Sequence, residues 1–184
     1  MFIFLSGKRC SGKDTCARLI QSCFSTSVID AFANMVRFEI SKMYHLEYER
    51  LLYDYEYKNE HREKMIIHAE SEKSVHGHDF WAKKLIEKYE NDIRIIIVSD
   101  LRFEEEYEYI RQHTSNSIFI RISSTNNIKK HRGWIYTPRI DDHISETGLD
   151  HIKWFHHIHN DGTLDELQLQ INSIIHKIDN AQGV

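Results

Sequence analysis

The chain has 184 residues, 41% of them apolar and 28% charged, with a net charge of −4 when the histidines are neutral. That length supports one domain with a substantial core, and the acidic balance excludes a bulk nucleic-acid binder, which would carry a basic face or tail. Three cysteines, Cys10, Cys16 and Cys23, exclude a disulfide framework, and the opening Met1-Phe2-Ile3-Phe4-Leu5 lacks the basic region of a secretory signal, so a reducing cytoplasm and no membrane partner are expected.

The first predicted element is an apolar strand over Phe2–Leu5, and it runs into Gly7-Lys8-Arg9-Cys10-Ser11-Gly12-Lys13-Asp14-Thr15. The spacing Gly-x-x-x-x-Gly-Lys between a strand and a helix is that of a P-loop. Its backbone N–H groups form a concavity for polyphosphate, and the following helix N-terminus adds partial positive charge. Gly7, Lys8, Arg9, Ser11, Gly12 and Lys13 are therefore candidate nucleotide contacts, with Lys13 on the β/γ-phosphates. Mg²⁺ takes hydroxyl or carboxylate oxygen here, from Asp14 or from Thr15. Lys8 and Arg9 exceed what one phosphate chain needs and suit a site holding two anionic ligands.

A helix is predicted over Lys13–Phe24, with Cys16, Leu19, Ile20 and Cys23 on its apolar side, then a short strand over Ser27–Ile29. Helical period continues over Ala31–Tyr44 and Glu47–Glu72, with no proline to interrupt it. Asp79 reads as the N-cap of a helix over Asp79–Glu90 that turns Trp81, Leu85 and Ile86 inward. The β-branched run Ile93–Val98 has no polar alternation and predicts a strand buried on both faces. It delivers Ser99-Asp100-Leu101-Arg102 to the strand end. A helix over Phe103–His113, a strand over Ser117–Ile122 and a strand over Trp154–His159 follow. Thr163 and Glu166 form a capping box for a last helix over Thr163–Lys177, striped by Leu164, Leu167, Ile171, Ile174, Ile175 and Ile178. His156, His157 and His159 are the nearest approach to a metal-ligand spacing, and they read as a solvated or packed strand end.

Strands alternating with helices predict an α/β fold of three layers: a mainly parallel five-stranded sheet with helices on both faces. No Pro/Gly/Ser-rich linker divides the chain, so 1–184 reads as a single domain. Ligands of such sheets bind at the carboxyl ends of the strands, where the P-loop, Asp100/Arg102 and Asn160-Asp161-Gly162 all fall. Asp100 could orient Mg²⁺-bound water, hold a lysine or serve as a base, and Arg102 would contact an acceptor phosphate. Residues 125–150 contain the only proline, several cations and several acids, a composition that fits a mobile lid. Arg132 and Arg139 are its candidate charge clamps. The helical stretch over about 32–92 offers Lys58, Lys73 and Lys83 to an anionic acceptor. Asn160 is a candidate adenine contact.

These motifs resemble the animal-type phosphomevalonate kinase family, a branch of the P-loop nucleoside monophosphate kinase-like fold. The resemblance rests on Ser6–Asp14, Tyr57-Lys58 with Arg62-x-x-Met65-Ile66, Val98-Ser99-Asp100-x-Arg102, and Arg132-Gly133-Trp134-x-x-Thr137-Pro138-x-x-Asp141-Asp142-x-x-Ser145-Glu146-x-Gly148-Leu149-Asp150. Asp14 after the P-loop lysine is then a family trait. The chain departs from that family at Cys10, usually lysine; at Phe103, usually a second arginine; and at Lys73 and Lys83, which stand where arginines are usual. It is also similar to phage-type deoxynucleoside monophosphate kinases, through Asp100–Phe103 with Glu104–Glu106, His143-Ile144-Ser145-Glu146 and Asn160–Leu167. Either resemblance implies an enzyme that moves the γ-phosphoryl of ATP, with Mg²⁺, onto the phosphate of a small acceptor: phosphomevalonate or a deoxynucleoside monophosphate. A non-catalytic nucleotide switch is the remaining alternative. The Asn-Lys-x-Asp run of GTPases does not occur in the sequence, and a switch has little use for a cationic lid.

Overall fold

The structure, a computed structural model, describes residues 1–182, with side chains to Ile178; Gly183 and Val184 of the expected 1–184 domain lie outside it. In chain order the elements are β1 (Phe2–Ser6), α1 (Lys13–Ser22), β2 (Ser27–Asp30), α2 (Phe32–Met43), α3 (Tyr48–Tyr53), α4 (Tyr55–Glu60), α5 (Arg62–His76), α6 (Phe80–Lys88) and β3 (Ile95–Leu101). They continue with α7 (Glu104–His113), β4 (Ser117–Ser123), α8 (Asn126–His131), α9 (Pro138–Asp141), α10 (Ile144–Thr147), β5 (His156–His159) and α11 (Leu164–Gln182).

The sheet has five strands in the order β2-β3-β1-β4-β5, and every pairing is parallel. Side chains alternate across it. Ile3, Leu5, Ile97, Ile120, Ile122 and Ile158 face α1 and α11 in one buried cluster. Phe4, Ile96 and Val98 face Phe32, Val36, Trp81, Leu85 and Ile110 in the other, which α2, α6 and α7 supply. Both faces of the sheet are therefore covered, which is why Ile95–Val98 carries no polar alternation. Each fully buried aliphatic side chain contributes about 1.5–3 kcal/mol.

β1 is central, and the chain leaves it for β2 on one side and returns to β4 on the other. The carboxyl end of β1 is thus a topological switch point, where a crevice opens between adjacent loops. Pairing between β1 and β3 slips near that end: Phe4 faces Val98 but Ser6 faces Leu101. The extra residue on β3 is a bulge, which re-aims the Asp100 and Arg102 side chains.

Several predicted bounds are corrected. The third strand begins at Ile95 rather than Ile93, because Asp92 takes the Arg94 N–H at 2.8 Å and its guanidinium at 2.6 Å, making a tight turn. The expected helix over Glu47–Glu72 is three helices. Asp54 adopts extended backbone and accepts from the Tyr57 N–H at 3.0 Å, ending α3 and capping α4, and His61 forms the second joint. Asp79 gives α6 no side-chain cap; its carboxylate binds Lys83 instead, at 2.8 Å. β5 starts at His156 rather than Trp154, whose ring leans on Tyr107. Cys23 lies past the end of α1 and is exposed rather than core, and Leu164 is exposed, outside the buried stripe of α11. The Thr163–Glu166 capping box forms in both directions. His157 and His159 stack at 4.3 Å and share the Ser123 hydroxyl. Among the described residues no helix is long and apolar enough to cross a membrane.

Candidate active site

The site is built on the crevice at the end of β1. Gly12 has φ +96°, a left-handed conformation that glycine adopts without strain, and a Cβ there would strike Asn160 Nδ2. A Cβ on Gly7 would strike the Ile122 carbonyl of the neighbouring strand and approach Ser11 Oγ at 2.7 Å. The glycines thus let the loop lie flat on β4 and on the turn after β5. Ser11 Oγ is buried with no hydrogen-bond partner among the described residues. An unsatisfied hydroxyl inside a glycine-bounded loop at a helix N-terminus fits a phosphate ligand.

Lys13 opens α1, and its side chain lies buried over the loop, donating to the Gly7 carbonyl at 2.7 Å and the Lys8 carbonyl at 3.0 Å. Burial, and then the nearby Arg102 charge, push its ammonium down to about 8. A buried lysine satisfied only by carbonyls is short of negative charge. Asp14 stands exposed on the first turn of α1 beside half-buried Thr15, and these two are the oxygen donors at the helix start that could hold a cation.

The strand-end cluster follows from the β3 bulge. Asp100 accepts the Phe32 N–H at 2.8 Å and the Ala33 N–H at 3.1 Å, holding the N-terminus of α2. Burial raises its carboxyl above the ordinary range. Glu106 lies beneath the rim and accepts the backbone N–H groups of Arg102 and Phe103, each at 3.2 Å. Burial, with the Asp100 charge, pushes Glu106 up to about 8. Glu106 fixes the backbone from which the Arg102 side chain reaches forward, to the Ser145 carbonyl at 3.2 Å and the Glu146 carboxylate.

The 125–150 segment closes the site from the other side, and it is not a bare loop, since α8, α9 and α10 lie in it. Arg9 binds Asp141 at 2.8 Å and the Ile135 carbonyl at 2.7 Å. Lys8 binds Asp150 at 2.6 Å. Arg132 reaches the Asn160 carbonyl at 3.0 Å, and Asn160 Nδ2 donates to the Ser11 carbonyl at 2.9 Å. Asn160 therefore ties the P-loop to the 125–150 segment.

Of the residues singled out in the sequence, the crevice gathers Gly7, Lys8, Arg9, Ser11, Gly12, Lys13, Asp100, Arg102, Arg132 and Asn160. Lys73 is buried nearby, its ammonium 3.8 Å from the centre of the Phe103 ring. Lys58, on α4, is half-buried, and burial followed by the charges of Arg37 and Arg62 lowers it. Lys83 is not with them: it binds Asp79 and leans over Tyr109. Arg139 is exposed on α9 and its side chain reaches no partner among the described residues.

The sequence assigns no role to four further contributors. Arg37 is largely buried on α2, with its Nε unpartnered among the described residues, and one guanidinium nitrogen binds Asn34. Arg121, inside β4, binds Ser6 Oγ at 2.9 Å and Asp150 at 2.5 Å. Glu106 and Glu146 are buried acids on helices. Arg121 gave a signal as a cation in the apolar run Ile118–Ile122, which must be paired if buried, and Glu106 and Glu146 stand in the motifs that carry the resemblances without a role assigned to them.

A central parallel strand, a glycine-bounded phosphate loop on the next helix, and cations converging from a third strand end and a lid define a P-loop kinase, a phosphotransferase. Solved structures of the same fold include shikimate kinase from Aquifex aeolicus (TM-score 0.55, 17% identity, all of both chains covered). Dephospho-CoA kinase from Campylobacter jejuni is another (TM-score 0.55, 17% identity, 98% of each chain covered). A family model for phosphomevalonate kinase matches residues 5–116, and one for deoxynucleotide monophosphate kinase matches residues 73–171. Phosphomevalonate kinase of Drosophila melanogaster is 29% identical over 153 residues, which cover 80% of each chain. The chain belongs to the phosphomevalonate kinase family and, through the second match, to the deoxynucleotide monophosphate kinase family as well.

Proposed function

We propose that this kinase transfers the γ-phosphoryl group of ATP to the phosphate of a small acceptor, and that the acceptor is phosphomevalonate. The observation that carries the reading is the convergence of Lys8, Arg9, Lys13 and Arg102 on one rim beside the unsatisfied Ser11 hydroxyl. Three of these cations are paired with carboxylates of the 125–150 segment, and once released to ligands they supply more positive charge than one nucleotide requires. A phosphate acceptor is already ionised at neutral pH, so no strong base is needed. Its oxygen bonds to the γ-phosphorus as the bond to the ADP oxygen breaks, and catalysis is positioning plus charge neutralisation.

In this reading the amides of 7–13 hold the nucleotide phosphates, and Lys13 neutralises charge on the β/γ oxygens. Asp14 or Thr15 would hold Mg²⁺ brought with the nucleotide, which would supply further charge neutralisation. Arg102 receives the acceptor phosphate, with Arg9, Lys58 and Lys73 around it. The helical region over about 32–92 is the acceptor side and 125–150 the lid, whose Arg132 and Arg139 close on the nucleotide. Asp100 acts through α2, and Asn160 through Ser11, rather than by touching the reacting atoms. Lys83, held by Asp79, is left out of the acceptor contacts.

Phosphomevalonate is supported by the model match over 5–116 and by the Drosophila relative. A deoxynucleoside monophosphate is the second reading, favoured by Phe103. At that rim position an aromatic ring under Lys73 replaces the planar fork that an arginine would offer an acidic acceptor. One coupled assay with (R)-5-phosphomevalonate and the four deoxynucleoside monophosphates separates them. Phosphomevalonate is expected to lead in kcat/KM by about 10²-fold or more, the margin that buried charge recognition gives. A lead of that size by a deoxynucleotide selects the second reading.

A further inference from the structure

Glu146 holds the most unusual contact in the crevice. It lies on the four-residue helix α10 and is 93% buried, yet its carboxylate is aimed at the P-loop. One oxygen accepts the backbone N–H of Arg9 at 2.5 Å, and the other pairs with the guanidinium of Arg102. A P-loop amide and a strand-end arginine are the donor types that grip a phosphate oxygen, and here an internal carboxylate takes both. Its neighbours behave alike. Asp141 occupies Arg9 and Asp150 occupies Lys8, so three carboxylates of one lid segment hold three cations of the rim.

The foundation of α10 is slight. Ile144 is largely exposed, the N-cap is the ring of His143 on the Ser145 N–H at 3.2 Å, and the single turn rests on three backbone bonds, from Glu146 and Thr147 to the His143 carbonyl, at 2.8 and 3.3 Å, and from Gly148 to the Ile144 carbonyl, at 2.7 Å. A single turn gains little from cooperativity and moves at low cost. Leu149, immediately after it, is fully buried and anchors the segment in the core. Glu146 can therefore leave the P-loop without unseating the rest of the lid.

We propose that Glu146 is a displaceable stand-in for a substrate phosphate: it holds the Arg9 amide and Arg102 until an oligoanionic phosphate ligand takes both. It rests on the reading of the crevice as a nucleotide and acceptor phosphate site, and adds that the site is self-occupied. Arg102 is then released only to a ligand that outbids one carboxylate. A singly charged anion does not suffice, and a phosphate chain does, which makes Glu146 a determinant of specificity for highly charged ligands.

The alternative is a permanent strut, with Glu146 holding loop and arginine in every state. Titration calorimetry with inorganic pyrophosphate separates the two. Glu146→Gln keeps the shape and removes the charge. A stand-in predicts pyrophosphate binding roughly tenfold tighter than in the unchanged protein, the size of one lost competing charge contact. Asp142→Asn, which changes net charge equally and contacts Tyr136 rather than the crevice, is expected to stay within about twofold. Unchanged or weaker binding in Glu146→Gln overturns the proposal. Hydrogen exchange on the unchanged protein needs no variant: pyrophosphate should speed exchange over 144–148, and slower or equal exchange overturns the proposal. The kinase reading fails separately, if neither ADP nor pyrophosphate binds either protein; ADP binding with no gain in Glu146→Gln sinks the stand-in alone.

Discussion

Lys13→Met is expected to reduce turnover by about 10³-fold or more while the protein stays folded. The ammonium is buried over the P-loop with two carbonyl partners, and burial has pushed it down to about 8. A methionine fills similar volume without the charge, so the glycine loop and α1 keep their packing. The loss falls on the developing charge of the β/γ oxygens, so kcat should drop more than nucleotide affinity. Removing a desolvated cation also removes a cost of folding, and the variant's Tm should not fall. The pH dependence follows with its sign. Free Lys13 is charged below pH about 8 and neutral above it, and a bound polyphosphate favours the charged form. Nucleotide binding therefore takes up a proton above that pH, and affinity should weaken as pH rises through it. The folded protein's pKa lies below that of an unfolded lysine, so this group destabilises the unliganded fold below pH about 8, and the penalty is relieved between there and about 10.5. Isothermal titration of ADP from pH 7 to 9, with Lys13→Met as the control that loses the slope, checks it.

Arg102→Ala is expected to cost about 10²–10³-fold in kcat/KM for the acceptor while leaving ADP affinity within a few-fold. Its backbone is fixed from below by Glu106, and its guanidinium projects to the lid. The variant also leaves the buried Glu146 carboxylate without its guanidinium partner, so a lowered Tm is expected and is read beside the kinetics. Arg102→Lys keeps the charge and loses the fork, and should recover part of the rate. Steady-state kinetics with ATP and the acceptor varied in turn separates the effects. An equal loss in both KM values would place Arg102 on the nucleotide instead.

The fold was largely legible because its signals are local. The continuous apolar runs Phe2–Leu5 and Ile95–Val98 report strands covered on both faces, and the stripe from Leu167 to Ile178 reports which face of its helix is buried. The P-loop was legible because its glycines are required at fixed spacing by backbone geometry. The breaks at Asp54 and His61 were not, since helical period runs through both and only the Asp54 carboxylate, competing for the Tyr57 N–H, ends the helix. The acidic partners of the rim were legible as composition and not as pairs. Arg9 meets Asp141, and Arg102 meets Glu146, across long stretches of chain, and no periodicity encodes contacts of that range. Lys83 shows the converse case. Charge on a helix near an expected pocket does not say which way it points, and a local acid four residues earlier claimed it.

The central claim is that ATP turnover here belongs to an acceptor. The direct measurement is ADP formation by the purified chain with ATP and Mg²⁺, with and without (R)-5-phosphomevalonate or a deoxynucleoside monophosphate. An acceptor-dependent rise of about 10²-fold or more is predicted, with one phosphorylated acceptor formed per ADP, as expected where closure excludes water. Equal ADP formation in the presence and absence of every acceptor would contradict it.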